Sequence, residues 1–502
     1  MLDALSIGFL TALQPSMLLA ACVGVTIGVF IGMLPGLTST MGVALLIPVT
    51  FSFPPAVGLA LLGGIYLAST FSGSISAILL NIPGTPSAVA TCQDGYPMTR
   101  AGKAGRAVGL SVFASCIGGI FSAIVLLFMA PVLSELSLML GAPEYFLLAL
   151  FGVTIIASLS EGSMLKSMMG GVLGLIISLI GMHPLTGEMR LTMGLPSLYD
   201  GIPLVITLIG LYSIPEVVNI LSEKSNSQKR ENSQFSGAWS TLKDVLAQRL
   251  NVFRSCVIGT VIGIIPGAGQ SIASFIAYDA AKRGSRTPEQ FGKGSEEGLV
   301  AAETANNAVT GGSLVPLLTL GVPGNAVSAV LMGGLIIHGL SPGPILFQNS
   351  PDIAYGFIFS LLFSNLLFVP VGLLVAKYCV KVIYLPKEIL AASILSLAVM
   401  GAYAIRGQVS DVGLMLAIGV LGYLLTFFSV SRAPMVLGLV LGTMAESNLS
   451  RALSLVRGDV GELLLQFVTR PFSLALVLLC VASVVMGYRK SRRSSLAAQD
   501  TT

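Results

Sequence analysis

Charge is what this sequence has least of. Only 10% of its 502 residues are Asp, Glu, Lys or Arg, against about 25% in a soluble globular chain, which excludes an ordinary water-facing surface. The six cysteines (Cys22, Cys92, Cys116, Cys256, Cys379, Cys480) lie far apart, mostly in apolar stretches, and form no CxxC or Cys/His cluster. Neither disulfides nor a bound metal is expected. Residues 1–14 carry no Lys or Arg, so the positive segment of a cleavable signal is missing. Catalytic signatures are missing too. Gly102-Lys103 and Gly292-Lys293 lack the other residues of a nucleotide-binding loop, and neither HExxH nor GxSxG occurs. Tyr278-Asp279 has no GxGD partner, as an intramembrane aspartyl protease would require. Enzymatic activity, an organic cofactor and a nucleic-acid partner are not expected.

What is present is hydrophobicity, at 54% of residues. The runs Ile120–Leu140, Met164–Met182, Ile202–Leu221, Ile353–Ala376 and Val412–Val430 are long enough to cross a hydrocarbon core of about 30 Å at ~1.5 Å per residue. The pattern predicts an all-α polytopic membrane protein of roughly eleven or twelve spans, several of them interrupted by Gly and Pro.

Ser222–Gln234 contains no apolar residue and divides the chain near its middle. This predicts a first unit over 1–221, a cytoplasmic linker over 222–250, a second unit over 251–487 and a cytoplasmic tail over 488–502. The units resemble each other. Gly28-x3-Gly32-x2-Pro35-Gly36 returns as Gly259-x3-Gly263-x2-Pro266-Gly267. Gly73-Ser74 with Pro83-Gly84 returns as Gly312-Ser313 with Pro323-Gly324, one residue longer, and Gly171-Val-Leu-Gly174 returns as Gly419-Val-Leu-Gly422. The loop charges, however, are opposed. Thr50–Gly58 has no basic residue, whereas its counterpart holds Lys282, Arg283, Arg286 and Lys293. Arg100, Lys103 and Arg106 have as their counterpart His338–Asp352, which holds no Lys or Arg, and Pro131–Pro143, with none, has a counterpart holding Lys377, Lys381 and Lys387. Under the positive-inside rule, corresponding loops sit on opposite sides, the sign of an inverted-topology repeat. The arm Val252–Ile265 is too short to cross, so Pro266-Gly267 and Pro35-Gly36 are expected at the tips of re-entrant hairpins. The N-terminus is expected outside and the basic C-terminal tail inside.

Irregular backbone at membrane depth is tolerated where protein buries it or water reaches it. Four Pro-Gly breaks therefore suggest a site, although each alone could be a packing kink. The candidate substrate residues are Gly36, Thr38, Ser39 and Thr40; Asn81, Gly84, Thr85 and Ser87; Gly267, Gly269, Gln270 and Ser271; Asn306 and Asn307; and Gly324, Asn325 and Ser328. A helix restarting after a break directs free N–H groups and a positive dipole end at the gap, which suits a carboxylate. No Lys or Arg lies at the breaks, so amides, hydroxyls and a co-bound cation would meet the substrate's charge. Glu303, in an otherwise small and apolar segment, is a candidate for ion coupling, or else an interfacial residue beside Lys293. Asp94, Asp279 and His338 lie near segment ends, where capping competes with proton coupling.

Gly-x-Leu-Pro-Gly-Leu-Thr (32–38), Ala-Ile-Leu-Leu-Asn-Ile-Pro-Gly-Thr-Pro-Ser (77–87), Asp-Gly-Tyr-Pro-Met (94–98), Ile-Pro-Gly-Ala-Gly (265–269), Glu-Thr-Ala-Asn-Asn-Ala (303–308) and Leu-Gly-Val-Pro-Gly (320–324) occur in that order. With them the chain resembles the large membrane subunit of the tripartite tricarboxylate transporters, the TctA family, from about residue 15 to 470. The resemblance implies an ion-coupled importer of citrate-like di- or tricarboxylates in the bacterial inner membrane, driven by H+ or Na+. Its partners would be a small four-span membrane subunit and a periplasmic substrate-binding protein. An elevator movement of the hairpin-bearing part is one route to alternating access. An organic-anion channel, or a structural subunit without its own site, is the alternative.

Overall fold

Proline opens many of the helices. Pro15, Pro55, Pro344, Pro351 and Pro471 stand at first helical positions, where the missing N–H has no intrahelical partner to lose. The computed structural model describes residues 2–34, 37–159, 164–183, 186–222, 240–267, 269–378 and 386–499. These are almost wholly helical. The single sheet among them is the two-residue pairing of Gly181–Met182 with Met189–Arg190. Pro35 and Gly36, most of the linker (223–239) and the last three residues lie outside the described residues.

Seven of the described helices are long and apolar enough to cross a membrane, or nine if two sharply bent pairs each count as one span. Five shorter apolar helices accompany them, among them Ser39–Thr50 and Ala326–Ile337. The expected eleven or twelve segments are therefore divided between full spans and short pieces. Glu296–Leu320 has 25 residues and is buried over nearly its whole length, yet it is not among the seven. Glu303, Thr304, Asn306 and Asn307 lower its hydropathy, so hydropathy alone undervalues the most enclosed helix of the second half.

The matched glycines do matched work. Helix Pro15–Met33 lies along Pro55–Leu80, and a Cβ added at Gly28 or Gly32 would stand 2.7 or 2.2 Å from the carbonyl oxygen of Ile65 or Ser69. Helix Arg249–Ile264 lies likewise along Glu296–Leu320, where Gly259 and Gly263 would meet the carbonyls of Ala305 and Val309 at 2.4 and 2.8 Å. Each long helix then ends in a left-handed residue, Asn81 (φ 58°) and Gly321 (φ 71°), the conformation that turns the chain out of a helix. The glycine of the following Pro-Gly packs back on the first arm. Gly84 would meet the Gly32 carbonyl at 2.3 Å and Gly324 the Gly263 carbonyl at 2.8 Å.

The third glycine pair packs across the halves. Gly174, on Met164–Ser178, abuts the Met435 carbonyl of Arg432–Leu455, and Gly422, on Val409–Phe427, abuts the Leu211 carbonyl of Leu204–Ser222. A polar clamp adds to this. Arg106, at the start of Ala104–Leu138, reaches Glu296 at 2.6 Å and Asp244 of the short helix Thr241–Ala247 at 2.8 Å.

Gly32→Val and Gly263→Val should each cost more than the usual overpacking penalty of about 1–3 kcal/mol, because backbone rather than a mobile side chain stands in the way. Gly413→Ala, whose methyl would meet open space, should be neutral. Thermal unfolding and elution profile in detergent would separate the three, and intact Gly32→Val protein would count against the close helix contact.

Candidate functional site

Four helices begin at one pocket of about 290 Å³. They are Ser39–Thr50, Gly269–Gly284, Ala326–Ile337 and Arg432–Leu455. The turn Pro86–Ala88, which leads into Val89–Arg100, adds a fifth wall. Of the sequence candidates, Thr38, Ser39 and Thr40, Thr85 and Ser87, Gly267, Gly269, Gln270 and Ser271, and Asn325 all line it. Breaks separated by more than two hundred residues thus converge. A direct bond ties two of them together: the Gly267 N–H donates to the Gly324 carbonyl at 2.8 Å. Positive φ at Gly267 (80°) and Gly269 (72°) is open to glycine at little cost, so the tip can turn within a few residues.

Local hydrogen bonds hold the helix starts in place. Thr38 caps its helix by accepting from the Met41 N–H at 3.2 Å. Asn325 and Ser328 form a reciprocal capping box, with bonds of 2.8 and 2.9 Å. The Asn325 amide also donates to Tyr66 Oη at 2.9 Å, which pairs with Ser313 Oγ at 3.0 Å. Gln270 donates to Thr70 Oγ1 at 3.2 Å. Ser39 Oγ is buried at the pocket wall and has no hydrogen-bond partner among the described residues.

The pocket also holds a charge from far along the chain. No basic residue lies at the breaks in sequence, but Arg432 lines the pocket in space, together with Tyr212. The guanidinium sits 5.3 Å from the Tyr212 ring centroid and donates to the Leu211 carbonyl at 3.4 Å. Among the described residues it forms no ion pair, and no Asp, Glu or Lys lines the pocket. Tyr212 Oη is buried and has no hydrogen-bond partner among the described residues either. Sequence reasoning passed over both. A signal existed for Arg432: a cation at the first turn of a helix opposes the helix dipole, and such a local conflict marks function.

The remaining candidates have other positions. Gly36 is outside the described residues. Gly84 and Gly324 pack on carbonyls, and Ser328 completes the capping box. Asn81 is an exposed left-handed cap. Asn306 and Asn307 are fully buried in Glu296–Leu320 and do not line the pocket.

Glu303 is fully buried too, so its carboxylate does not meet solvent. Thr91 Oγ1, Ser111 Oγ (3.2 Å) and Ser115 Oγ (3.0 Å) donate to its carboxylate, and it forms no ion pair among the described residues. Asp94 is a staple between the halves. Its Oδ1 accepts from the N–H groups of Gly292, Gly294 and Ser295 at 2.8–2.9 Å, and its Oδ2 accepts from Tyr278 Oη at 2.8 Å. Asp279 forms an exposed ion pair with Arg283 one turn away, and His338 Nε2 pairs with Thr50 Oγ1 at 3.0 Å.

Asp94→Ala should strand buried backbone donors at about 1–3 kcal/mol each and lower the unfolding temperature strongly. Asp279→Ala should cost under about 1 kcal/mol. Thermal unfolding of both variants checks the assignment, which equal losses would contradict.

No solved structure matches the chain. A protein of Agrobacterium vitis described as "Uncharacterized 52.8 kDa protein in TAR-I ttuC' 3'region" is 36% identical over 494 residues, covering 98% of this chain and 97% of that one. A second from the same organism, "Uncharacterized protein in TAR-II ttuC' 3'region", is 36% identical over 245 residues, covering 48% of this chain and all of that one. The family model described as "Tripartite tricarboxylate transporter TctA family" matches residues 18–437. The helical architecture, the pocket of helix ends and this match agree: the chain is a multi-pass membrane protein of the tripartite tricarboxylate transporter TctA family.

Proposed function

We propose that this chain is the translocating subunit of a cation-coupled importer, and that it binds a di- or tricarboxylate in the pocket of Arg432. The observation that carries the reading is the sign of that pocket. Four helix N-termini and one guanidinium face a volume of about 290 Å³ with no carboxylate in its wall. Helix N-termini favour anions, and a guanidinium matches a carboxylate with two parallel N–H donors. The volume is at the low end for small-molecule sites, near roughly 300 Å³, which suits a compact organic acid. Ser39, Thr40, Thr85 and Ser87 supply hydroxyls for the remaining carboxylate oxygens, and Tyr212 both supports the guanidinium and offers its own hydroxyl.

Residues 1–221 and 251–487 act in this reading as inverted repeats, so that the pocket lies between oppositely entering hairpins. The equivalent glycine packing in the two halves favours the repeat, and the loop charges favour the inversion. The N-terminus is periplasmic and the C-terminus cytoplasmic in a bacterial inner membrane. A periplasmic binding protein delivers the anion and a small membrane subunit completes the complex, as the tripartite family description suggests. The hairpin-bearing part moves as an elevator against the remaining helices. A cation accompanies the anion, which lowers the cost of carrying net negative charge through the bilayer.

Uptake of a labelled carboxylate with the partner proteins present tests this. Arg432→Gln should raise the half-saturating concentration roughly ten- to a hundredfold, the equivalent of losing a charge-assisted hydrogen bond at about 1.5–3 kcal/mol. Arg432→Lys should retain part of the affinity. Wild-type saturation in Arg432→Gln would sink the anion-site assignment, and uptake that never exceeds the external concentration would replace the importer with a channel.

A further inference from the structure

Three fully buried asparagines are short of hydrogen bonds. Neither the amide oxygen nor the amide nitrogen of Asn307 has a partner among the described residues. Asn306 donates to the Thr70 carbonyl at 3.2 Å, but its Oδ1 is unpartnered. Asn365, on Pro351–Tyr378, donates to the Leu361 carbonyl at 2.8 Å and also leaves Oδ1 unpartnered. A buried polar group without a partner costs about 1–3 kcal/mol, so this much unmet amide chemistry in one region calls for a ligand.

Helix packing sets Asn307 and the unpartnered Oδ1 of Asn365 against the same stretch of Ala104–Leu138. Asn307 lies one turn after Glu303, which meets Ser111 and Ser115, and one turn before Gly311, whose N–H donates to Ser122 Oγ at 3.2 Å. It therefore faces Ala104–Leu138 between Ser115 and Ser122, at Gly118 and Gly119. A Cβ on Gly118 would stand 2.1 Å from the Thr304 carbonyl oxygen, and one on Gly119 would stand 1.9 Å from Asn365 Oδ1. Two adjacent glycines thus admit backbone from one neighbouring helix and an amide oxygen from another.

We propose that Asn307, Asn365 and Glu303 form, around Gly118-Gly119, a binding site for a sodium-sized monovalent cation. The donors are amide and carboxylate oxygens, which are hard ligands that soft metals do not favour. One carboxylate balances a single positive charge, whereas divalent ions of this class draw on more. Amide oxygens do not titrate near neutral pH, so a proton on Glu303 would leave them unmet. The site also has a link to the anion pocket, because Asn306 and Gln270 bond to the same residue, Thr70, at its carbonyl and its hydroxyl. As the identity of the coupling ion, the proposal rests on the transport reading above. Binding itself does not.

The test uses purified full-length protein in detergent without any carboxylate. Sodium chloride is titrated against potassium chloride and choline chloride at constant ionic strength, and the unfolding temperature is followed. A ligand that binds only the folded state raises stability by mass action. Sodium alone should give a saturating rise. In Asn307→Leu and Asn365→Leu the apparent dissociation constant for sodium should increase at least tenfold, while Asn307→Asp, which retains an oxygen ligand, should keep the rise even where a leucine variant fails to fold. An equal rise in all three salts would overturn the proposal. So would an undiminished rise in both leucine variants, or a rise that follows pH and vanishes only in Glu303→Gln. A sodium rise in protein that shows no carboxylate uptake would leave the cation site standing and reject the transport reading.

Discussion

A backbone that stops being helical inside a bilayer must find partners for its N–H and C=O groups without water. The rest of this structure depends on how that demand is met. The broken helices approach one another until backbone touches backbone, as in the bond from Gly267 to the Gly324 carbonyl, and the glycines along Pro15–Met33 and Arg249–Ile264 make the approach possible. The N–H groups left over at the helix starts face a common pocket. The feature that endangers the fold is also what gives the pocket its positive character.

Low-dielectric walls strengthen that character. In a medium of low dielectric a lone guanidinium and several helix dipoles act over longer distances than in water. Without an acidic residue in the wall, the field is not cancelled locally. Tyr212 lies beside Arg432, where its ring lowers the cost of burying the cation and holds it toward the cavity. Glu303 belongs to a different environment, surrounded by hydroxyls on neighbouring helices. The molecule thus keeps the guanidinium of Arg432 and the carboxylate of Glu303 in separate surroundings, each without an ion-pair partner among the described residues.

How much of this was legible in the sequence depended on whether a residue's role is local. The Pro-Gly pairs and the small polar residues after them were readable because a helix break imposes its own chemistry on adjacent positions, and ten of those residues do line the pocket. Arg432 and Tyr212 were not readable as partners, since their nearness to residues 38–40 and 267–271 exists only after folding. Asn81 looked like a ligand beside Pro83, but it occupies the position that Gly321 fills in the second half. An Asn and a Gly at equivalent places are the mark of a left-handed turn, which points to geometry rather than to binding. Asn306 and Asn307 were rightly singled out as unusual, while their distance from the pocket followed from helix packing that no local pattern reveals. Asp94 shows the converse: its carboxylate is consumed by four donors, none of them foreseeable from its neighbours in sequence.

The exchanged glycine contacts of the third pair have a consequence for how the molecule is made. Gly174 rests on a helix that starts at Arg432, and Leu204–Ser222 rests on Val409–Phe427. A ribosome delivers the chain from its N-terminus, so these first-half surfaces must wait in the bilayer until the final quarter of the protein is synthesised. The pocket of helix starts is assembled late for the same reason. Its arginine arrives after the other walls, and a chain truncated before residue 432 would have the broken helices without the charge beside them.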